Sequence, residues 1–530
     1  MAKLATTRPA AAAPDIGAWL AAHAWPAIRA SAVPAAIVLL ALILRTVRLE
    51  LQAWTPDTYE QMNAAHRLVA GQIPVSGFYP PGVAIVLAPA FVFFPQTLAT
   101  QQSVIIAWSL VLIVVAYIAA RHATPDRIAP VLLAFGVATA PQFVYFSRDG
   151  LYDAINAAWI VTAILVVPWL RGRSLPTFVA YGVLLAIAIS IRASNPAFLP
   201  AIVIYWAGIA GAGLNPAAIW RSTFRRGPVV AGIAMVISFA FFAFIGGAAG
   251  HLRGSPITLQ YAAAHIVYYA GSEFGGPLGA ILLVPLAELG STYLWSRNRP
   301  LLCASIYMLA IFPLVHVPLP FESSRYMLPS LVFALLLAAY APAAVVAVTA
   351  RQPVRTRHAW RALAAGPVLL LGVYFIAYDT VTLAHWPDSA ARSDEAAYRQ
   401  LRPVVAALPA GSLLISTGVR GVRDGDAHVE YLDLIDFSLS TGNTPQRVDE
   451  IMQRVDASLA QGRSVYYLYT RVEGVTGTFA ASGPGYQAYF DAVSQRFHVD
   501  EVFASNVKHF RLYKIDPPSR AEPHSGAALP

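Results

Sequence analysis

Apolar runs of roughly bilayer length follow one another through most of residues 1–384. This succession limits that part of the chain to a bundle of membrane helices, because inside a bilayer each backbone polar group must pair within its own segment or a closed barrel. The runs are 32–48, 101–120, 128–146, 154–170, 175–191, 196–212, 229–248, 277–294, 301–319, 326–349 and 362–383. Each is near the ~20 residues that span a hydrocarbon core, some shorter. One further run, 82–94, is bracketed by Pro80, Pro81 and Pro95 and reads as an interfacial or re-entrant helix. Only 12% of the residues are charged, against about 25% in soluble domains. That excludes disorder, a fibre, a coiled coil and an ordinary cytosolic enzyme. The lone cysteine, Cys303, excludes a disulfide framework and a cysteine-ligated metal, and sits in an apolar run as a small core residue.

Charge then orients the runs. Residues 1–384 hold 23 basic and 11 acidic side chains, and 385–530 hold 14 and 17. The basic excess points to membrane topology and not to nucleic acid, because the arginines fall in short loops between apolar runs. With the N-terminus inside and 82–94 not crossing, one side collects Arg121 and Arg127, Arg171 and Arg173, Arg221, Arg225 and Arg226, Arg297 and Arg299, and Arg351, Arg355, Arg357 and Arg361. That is the positive-inside pattern, and eleven crossings place the C-terminal segment outside. The acids take the other side: Glu50, Asp57, Glu60, Asp149, Asp153, Glu273, Glu322 and Asp379 lie on or near it, Asp15 and Asp126 lie inside, and Glu288 lies in a span. Acids do not set topology, so a polar outward-facing cavity with carboxylate chemistry is the reading of this bias. Abundant Ala, Arg and Pro with only three lysines (Lys3, Lys508 and Lys514) suits a GC-rich bacterial genome and an inner membrane.

The expected organisation is a cytoplasmic segment 1–31, a membrane domain 32–384 with an external loop 49–80, an extracytoplasmic α/β domain 385–516 and a disordered tail 517–530. The first apolar run is read as a retained helix and not a cleaved signal. In the outer domain, 412–417, 464–470, 501–504 and 509–515 read as strands. Residues 445–461 carry a helical pattern with Val448, Ile451, Met452, Val455 and Leu459 on one side, and 486–497 read as a second helix. Asp424, Asp426, Asp433 and Asp436 are close in sequence; Asp424-Gly-Asp426 lacks the rest of a calcium loop and reads as a solvated turn.

The first external loop carries the densest chemistry: Trp54-Thr-Pro-Asp57-Thr-Tyr59-Glu60, then Ala64-Ala-His66-Arg67, Gly71 and Tyr79-Pro80-Pro81-Gly82. Asp57 sits just past a span, at the mouth of whatever cavity the helices form, where a carboxylate can take a proton from a hydroxyl. The alternative is a helix N-cap, since Asp57 with Glu60 three residues on has capping-box spacing. At the outer end of the third span stands Tyr145-Phe146-Ser147-Arg148-Asp149-Gly150-Leu151-Tyr152-Asp153. Asp149 and Asp153, four apart, share a helix face if the helix continues; an N-cap is again the alternative. The planar fork of Arg148 suits phosphate, with snorkelling to headgroups as its alternative. Phe321-Glu322-Ser-Ser-Arg325-Tyr326-Met-Leu-Pro329 opens the tenth span. Arg192 and Arg253 are further outer-face arginines without a motif.

These three segments, in this order and on one side of the membrane, resemble the GT-C superfamily of membrane glycosyltransferases, the protein O-mannosyltransferase and aminoarabinose-transferase branch in particular. The resemblance covers roughly residues 30–350. It implies a multi-helix membrane fold and transfer of a sugar from a polyprenyl-phosphate donor to an acceptor glycan, lipid or protein outside the membrane. Asp57 matches the family's catalytic base, although Thr58 stands where the family has a second acid, with Glu60 the nearest. Asp153 matches the later "Ser-Arg … Asp" acid, with metal binding, electrostatic shaping or acceptor contact as its roles. Arg325 matches the late "Arg-Tyr … Leu-Pro" segment and is the better candidate for the lipid phosphate, ahead of Arg148. Tyr59, Glu60, Tyr79, Asp149, Glu322 and Tyr326 are candidate substrate contacts. His265 and Tyr269, with Tyr268 and Glu273 in the external stretch 251–276, cover the cavity or bind the sugar; an interfacial aromatic belt is their alternative. No cofactor is certain; Mg²⁺ or Mn²⁺ on Asp57 and Asp153 is the metal to test. A single displacement would invert the anomeric centre, without the carboxylate pair of hydrolases. The rival reading is a transporter or lipid-linked-sugar flippase, which finds no internal repeat in the sequence to support it.

Overall fold

The computed structural model describes residues 25–53, 57–72, 80–212, 215–246, 260, 262–264, 267–268, 277–317, 324–349, 354–422, 428–434, 446–470, 486–507 and 510–518. Tyr79, Arg253, His265, Tyr269, Glu273, Glu322, Asp424, Asp426 and Asp436 lie outside these residues.

The apolar runs are helical. Six helices among the described residues are long and apolar enough to cross a membrane: Leu98–Ala123, Arg226–Phe244, Leu278–Arg297, Arg299–His316, Ser324–Val348 and Ala365–Ala406. A seventh follows if Ala129–Thr139 and Pro141–Arg148, bent by 48°, form one span. Among the described residues the count of eleven full spans is not confirmed, because several runs fold as shorter apolar helices: Asp153–Leu165, Leu175–Ile189 and Asn195–Ile209; the first run lies in the 22-residue helix Trp25–Thr46. Proline is one cause. It has no N–H to give and its ring crowds the preceding turn. Pro141 starts a new helix inside the run 128–146, and Pro168 opens a 3-10 turn, Val167–Leu170, inside 154–170. The run 82–94 forms the helix Gly82–Phe93 behind Pro81. The protein is thus a polytopic helical membrane protein with a small C-terminal sheet.

The centre of the bundle is Leu328–Ala339, buried at all its positions. Small residues let neighbours reach it, as close packing between membrane helices requires. A Cβ on Gly290 would lie 1.8 Å from the Leu337 carbonyl oxygen, so helix Pro277–Arg297 touches the central helix backbone to backbone. Gly182 plays the same part between Leu175–Ile189 and Arg226–Gly246, where a Cβ would lie 2.4 Å from the Ala231 carbonyl oxygen.

The long helix Val354–Ala391 leaves the bundle and is followed by Asp394–Ala406 and a five-stranded sheet. The strands are β1 (Leu413–Ser416), β2 (Glu430–Asp433), β3 (Val465–Tyr469), β4 (His498–Ala504) and β5 (Arg511–Asp516), in the order β2-β1-β3-β5-β4. β1 pairs in parallel with β2 and β3, while β5 runs antiparallel to β3 and β4. The helices Gln446–Ala460 and Tyr486–Arg496 fall where their apolar patterns predict. Strand β2 is the difference. It is not among the expected strands and places Asp433 in a four-residue edge strand with two acids, a composition that carries little strand signal. The sheet domain rests on the segment around the start of the helix Asp57–Val69. Asp394 N–H donates to the Ala53 carbonyl at 2.8 Å, Trp386 Nε1 donates to the Glu50 carbonyl at 3.2 Å, and Ala53, Tyr59, Leu98, Tyr398, Leu401 and Phe510 share one apolar cluster.

Gly290→Ala should destabilise the fold, because the clash is with backbone and no side chain can swing aside; overpacking of this kind costs about 1–3 kcal/mol. Gly366→Ala, in the long helix and with nothing within 4 Å of its added Cβ, should be neutral or stabilising by up to about 1 kcal/mol. Unfolding midpoints of the two variants in detergent check this, and equal midpoints would contradict the close packing.

Candidate active site

Three chain segments bring their charged residues to one place. Asp57 opens the helix Asp57–Val69 and Asp153 opens the helix Asp153–Leu165. Acids suit these positions because the first turn of a helix presents unpaired N–H groups and the positive end of its dipole. Arg325 lies in the 3-10 turn Ser324–Met327 that leads into the central helix. Its Nη2 is 3.7 Å from Asp57 Oδ2, and its Nε is 4.0 Å from Asp153 Oδ2. A single guanidinium therefore stands between two carboxylates that are 96 residues apart in sequence.

Asp153 has a second cation. Arg192 Nη2 donates to Asp153 Oδ1, and the Arg192 guanidinium lies 4.3 Å from the centre of the Tyr326 ring and 5.1 Å from that of Tyr152. Tyr326 is stacked in turn on His316, with ring centres 4.7 Å apart. His316 Nδ1 is 2.7 Å from the Phe312 carbonyl, and its Nε2 is 3.3 Å from Ser194 Oγ. Tyr326 is accordingly a platform for arginine. The segment before Arg192 is fixed by the end of the first loop. Gly82 N–H donates to the Ser190 carbonyl at 2.8 Å, and a Cβ on Gly82 would lie 2.5 Å from the Ser190 backbone. Only glycine admits that approach, which accounts for the Pro-Pro-Gly ending.

Several buried polar atoms here make no hydrogen bond among the described residues: Arg325 Nε, Arg192 Nη1 and Asp153 Oδ2. Buried polar groups are nearly always paired, so such a cluster has the capacity to take a ligand. Two guanidinium donors favour an anion. A divalent cation suits the site poorly: two arginines face Asp153, and no group of three His, Cys, Asp or Glu among the described residues is arranged to hold a metal.

The other sequence candidates fall elsewhere. Arg148 is fully buried and donates to the carbonyls of Leu44, Val47 and Arg48 at 3.0, 2.9 and 3.0 Å, closing the end of the helix Trp25–Thr46, while Trp386 covers its guanidinium at 4.4 Å. Tyr59 faces the C-terminal domain. It donates to Glu395, which Arg402 grips through both oxygens at 3.0 and 2.8 Å. Burial and the Glu395 carboxylate hold the Tyr59 hydroxyl well above its ordinary range, so it stays a donor. Glu60 is buried beside it on the same helix. Asp149 is buried and accepts from Leu151 N–H at 2.9 Å. The residue that sequence reasoning placed on the outer face without a role is Arg192. Its one local signal is an arginine at the outer end of an apolar run.

Burial pushes the Asp149 carboxyl up to about 8, against the Leu151 hydrogen bond, with the charge of Asp153 adding to the rise. The folded state thus keeps a proton that the unfolded chain releases near ~4. Its contribution to stability is complete below that value and is lost as pH rises to about 8. Asp149→Asn has no such group. The unfolding midpoint of the wild type relative to Asp149→Asn should therefore decline between about pH 4 and 8 and level off above. A constant difference across that range would contradict a proton on Asp149.

No protein-family model and no curated protein sequence matches the chain. Among solved structures, the chain is similar to ArnT from Cupriavidus metallidurans in the apo state, with a TM-score of 0.60 at 15% identity over 93% of this chain and 98% of that one. It is also similar to the same protein bound to undecaprenyl phosphate, with a TM-score of 0.59 at 13% identity over 91% and 98%. Both alignments run through the bundle and the C-terminal domain. The chain therefore has the GT-C fold that its three loop motifs lead one to expect.

Proposed function

We propose that the protein is an inverting glycosyltransferase that moves a sugar from a polyprenyl-phosphate donor to an acceptor hydroxyl. The reading has it in a bacterial inner membrane, with the site and the 385–516 domain on the extracytoplasmic face. What carries it is the pair formed by buried Arg192 and half-buried Arg325, each with an unmade hydrogen bond, beside Asp57 and Asp153. Such a site can take a phosphate and leave a carboxylate free. The fold of a protein captured with undecaprenyl phosphate supports the same donor class.

In this mechanism the donor phosphate binds Arg325 and Arg192. Arg325 then turns from Asp57 toward the phosphate, and Asp57 accepts the acceptor's hydroxyl proton. The acceptor oxygen attacks the anomeric carbon as the bond from that carbon to the phosphate oxygen breaks. The bonding electrons leave with polyprenyl phosphate, whose charge the two arginines stabilise. The leaving group is already acidic, so no general acid is required. Asp153 holds both arginines in place.

The test is to supply purified protein with a panel of polyprenyl-phosphate sugars and follow release of the lipid phosphate. Asp57→Asn keeps size and capping ability and should fold normally, keep donor binding and lose roughly 100-fold or more in transfer. Arg325→Ala should weaken donor binding by roughly 10- to 150-fold, the scale of one charge-assisted hydrogen bond. A fully active Asp57→Asn protein would end the base assignment. For orientation, Gln72→Cys and Gln461→Cys, at exposed positions, should both react with an impermeant thiol reagent in whole cells, whereas Arg173→Cys should react only after permeabilisation. Labelling of the first two from opposite sides would overturn the arrangement.

A further inference from the structure

Gln101 lies near the start of the helix Leu98–Ala123, is fully buried, and belongs to neither acid-bearing segment. Its Nε2 donates to the Thr58 carbonyl at 3.1 Å and to the Gly150 carbonyl at 2.9 Å. Thr58 follows Asp57, and Gly150 follows Asp149 in the turn that ends at Asp153. The two segments are also in contact directly. Gly150 has φ +80, and a Cβ there would sit 3.1 Å from Thr58 Cγ2 and 3.1 Å from Leu98 Cδ1. The next residue, Gln102, donates to the Arg148 carbonyl. We infer that Gln101 is a positioning residue that fixes the distance between Asp57 and the Asp149–Asp153 turn.

The chemistry calls for glutamine. Two carbonyl oxygens on different segments need two N–H donors on one neutral group, and a primary amide supplies both from one nitrogen. Glutamate has the same shape and, ionised, offers acceptors alone. Leucine fills the space and offers no donor. On the other side of the acids the link is Arg325, at 3.7 and 4.0 Å. The inference rests on the reading of Asp57 as base and Arg325 as phosphate ligand. When the donor phosphate engages Arg325, that link loosens, and the Gln101 bridge keeps Asp57 in register with Asp153. Its loss should therefore appear in turnover and not in donor binding.

The experiment is a double-mutant cycle on the full-length protein, with Gln101→Leu made alone and in the Asp57→Asn background. Release of polyprenyl phosphate and the KM for the donor are measured for each. Gln101→Leu should lower kcat by roughly 10- to 100-fold, the cost of misplacing a reacting group by about 1 Å, with the donor KM within about twofold. In the Asp57→Asn background the same change should cost little further, because Gln101 acts through Asp57. Gln101→Glu, of unchanged size, goes through the same cycle should the leucine variant fail to accumulate, and should show the same pattern. Equal losses in both backgrounds, or a loss confined to KM, would overturn the inference while leaving the transferase reading intact. A wild-type protein that releases no polyprenyl phosphate from any donor would overturn both.

Discussion

The guanidinium of Arg325 is shared by two carboxylates that arrive on separate helices, and this end of the bundle is arranged around that sharing. Acids drawn together in a poorly solvated place repel each other, and removing them from water is costly unless a cation compensates. Arg325 compensates both, and Arg192 adds a second cation on Asp153. Neither contact of Arg325 with an acid is within hydrogen-bond distance. The arrangement holds the acids by charge while Nη2 donates to the Tyr326 hydroxyl at 3.3 Å and Nε has no hydrogen-bond partner among the described residues, which suits a group that must exchange one anionic partner for another. Phosphate is the natural competitor, because its oxygens match the guanidinium fork better than loosely placed carboxylates do.

The same helix that offers Asp57 to this network is held from behind by the C-terminal domain. Residues two apart on a helix point to nearly opposite sides, and Tyr59 accordingly faces away from Asp57's partner, toward Glu395. That carboxylate is taken by Arg402 and, at 3.0 Å, by Arg399. Tyr398 meets the Tyr59 ring edge-on at 5.2 Å. It also presses on the turn after β1, where a Cβ on Gly421 would lie 2.4 Å from its ring. The sheet domain thus has a physical task independent of any ligand: it fixes the orientation of the helix that begins at Asp57.

Much of this was legible in the sequence, and the rest has identifiable reasons for being hidden. Asp57 and Asp153 stand in short motifs at helix starts, where local spacing carries the signal. Arg325 is marked by its acid-rich side of the membrane and by Tyr326 and Pro329 after it. Arg148 satisfies the same chemical criterion, but its partners are the last carbonyls of a helix about 100 residues earlier, a contact that no local pattern encodes. Tyr59 is in the same position, since Glu395 lies 336 residues away. Hydropathy could locate the apolar runs but not say whether each was one straight helix. Pro141 and Pro168 decide that by breaking the backbone ladder inside uniformly apolar stretches.

The placement of charge also bears on the choice between the transferase reading and transport. A transport path needs ionisable groups in the interior of the bundle, free to meet a substrate between the two faces. Glu288, the acid read from sequence as lying within a span, is on the exposed side of its helix. Arg45 is fully buried, but its guanidinium is spent on Ser109 Oγ at 2.7 Å and on the Ala138 and Ala41 carbonyls at 2.9 and 3.1 Å. Asp379, also buried, interacts with Arg45 and Arg148, which are themselves anchored to helix carbonyls. The two arginines tie helix ends together through these carbonyls. Arg148 Nε and Asp379 Oδ2 also lack a hydrogen bond among the described residues, while the unmade hydrogen bonds of Arg192, Arg325 and Asp153 gather where the segments carrying Asp57 and Asp153 meet. On the proposed reading, a lipid-linked phosphate brought to that cluster would meet two arginines beside two carboxylates.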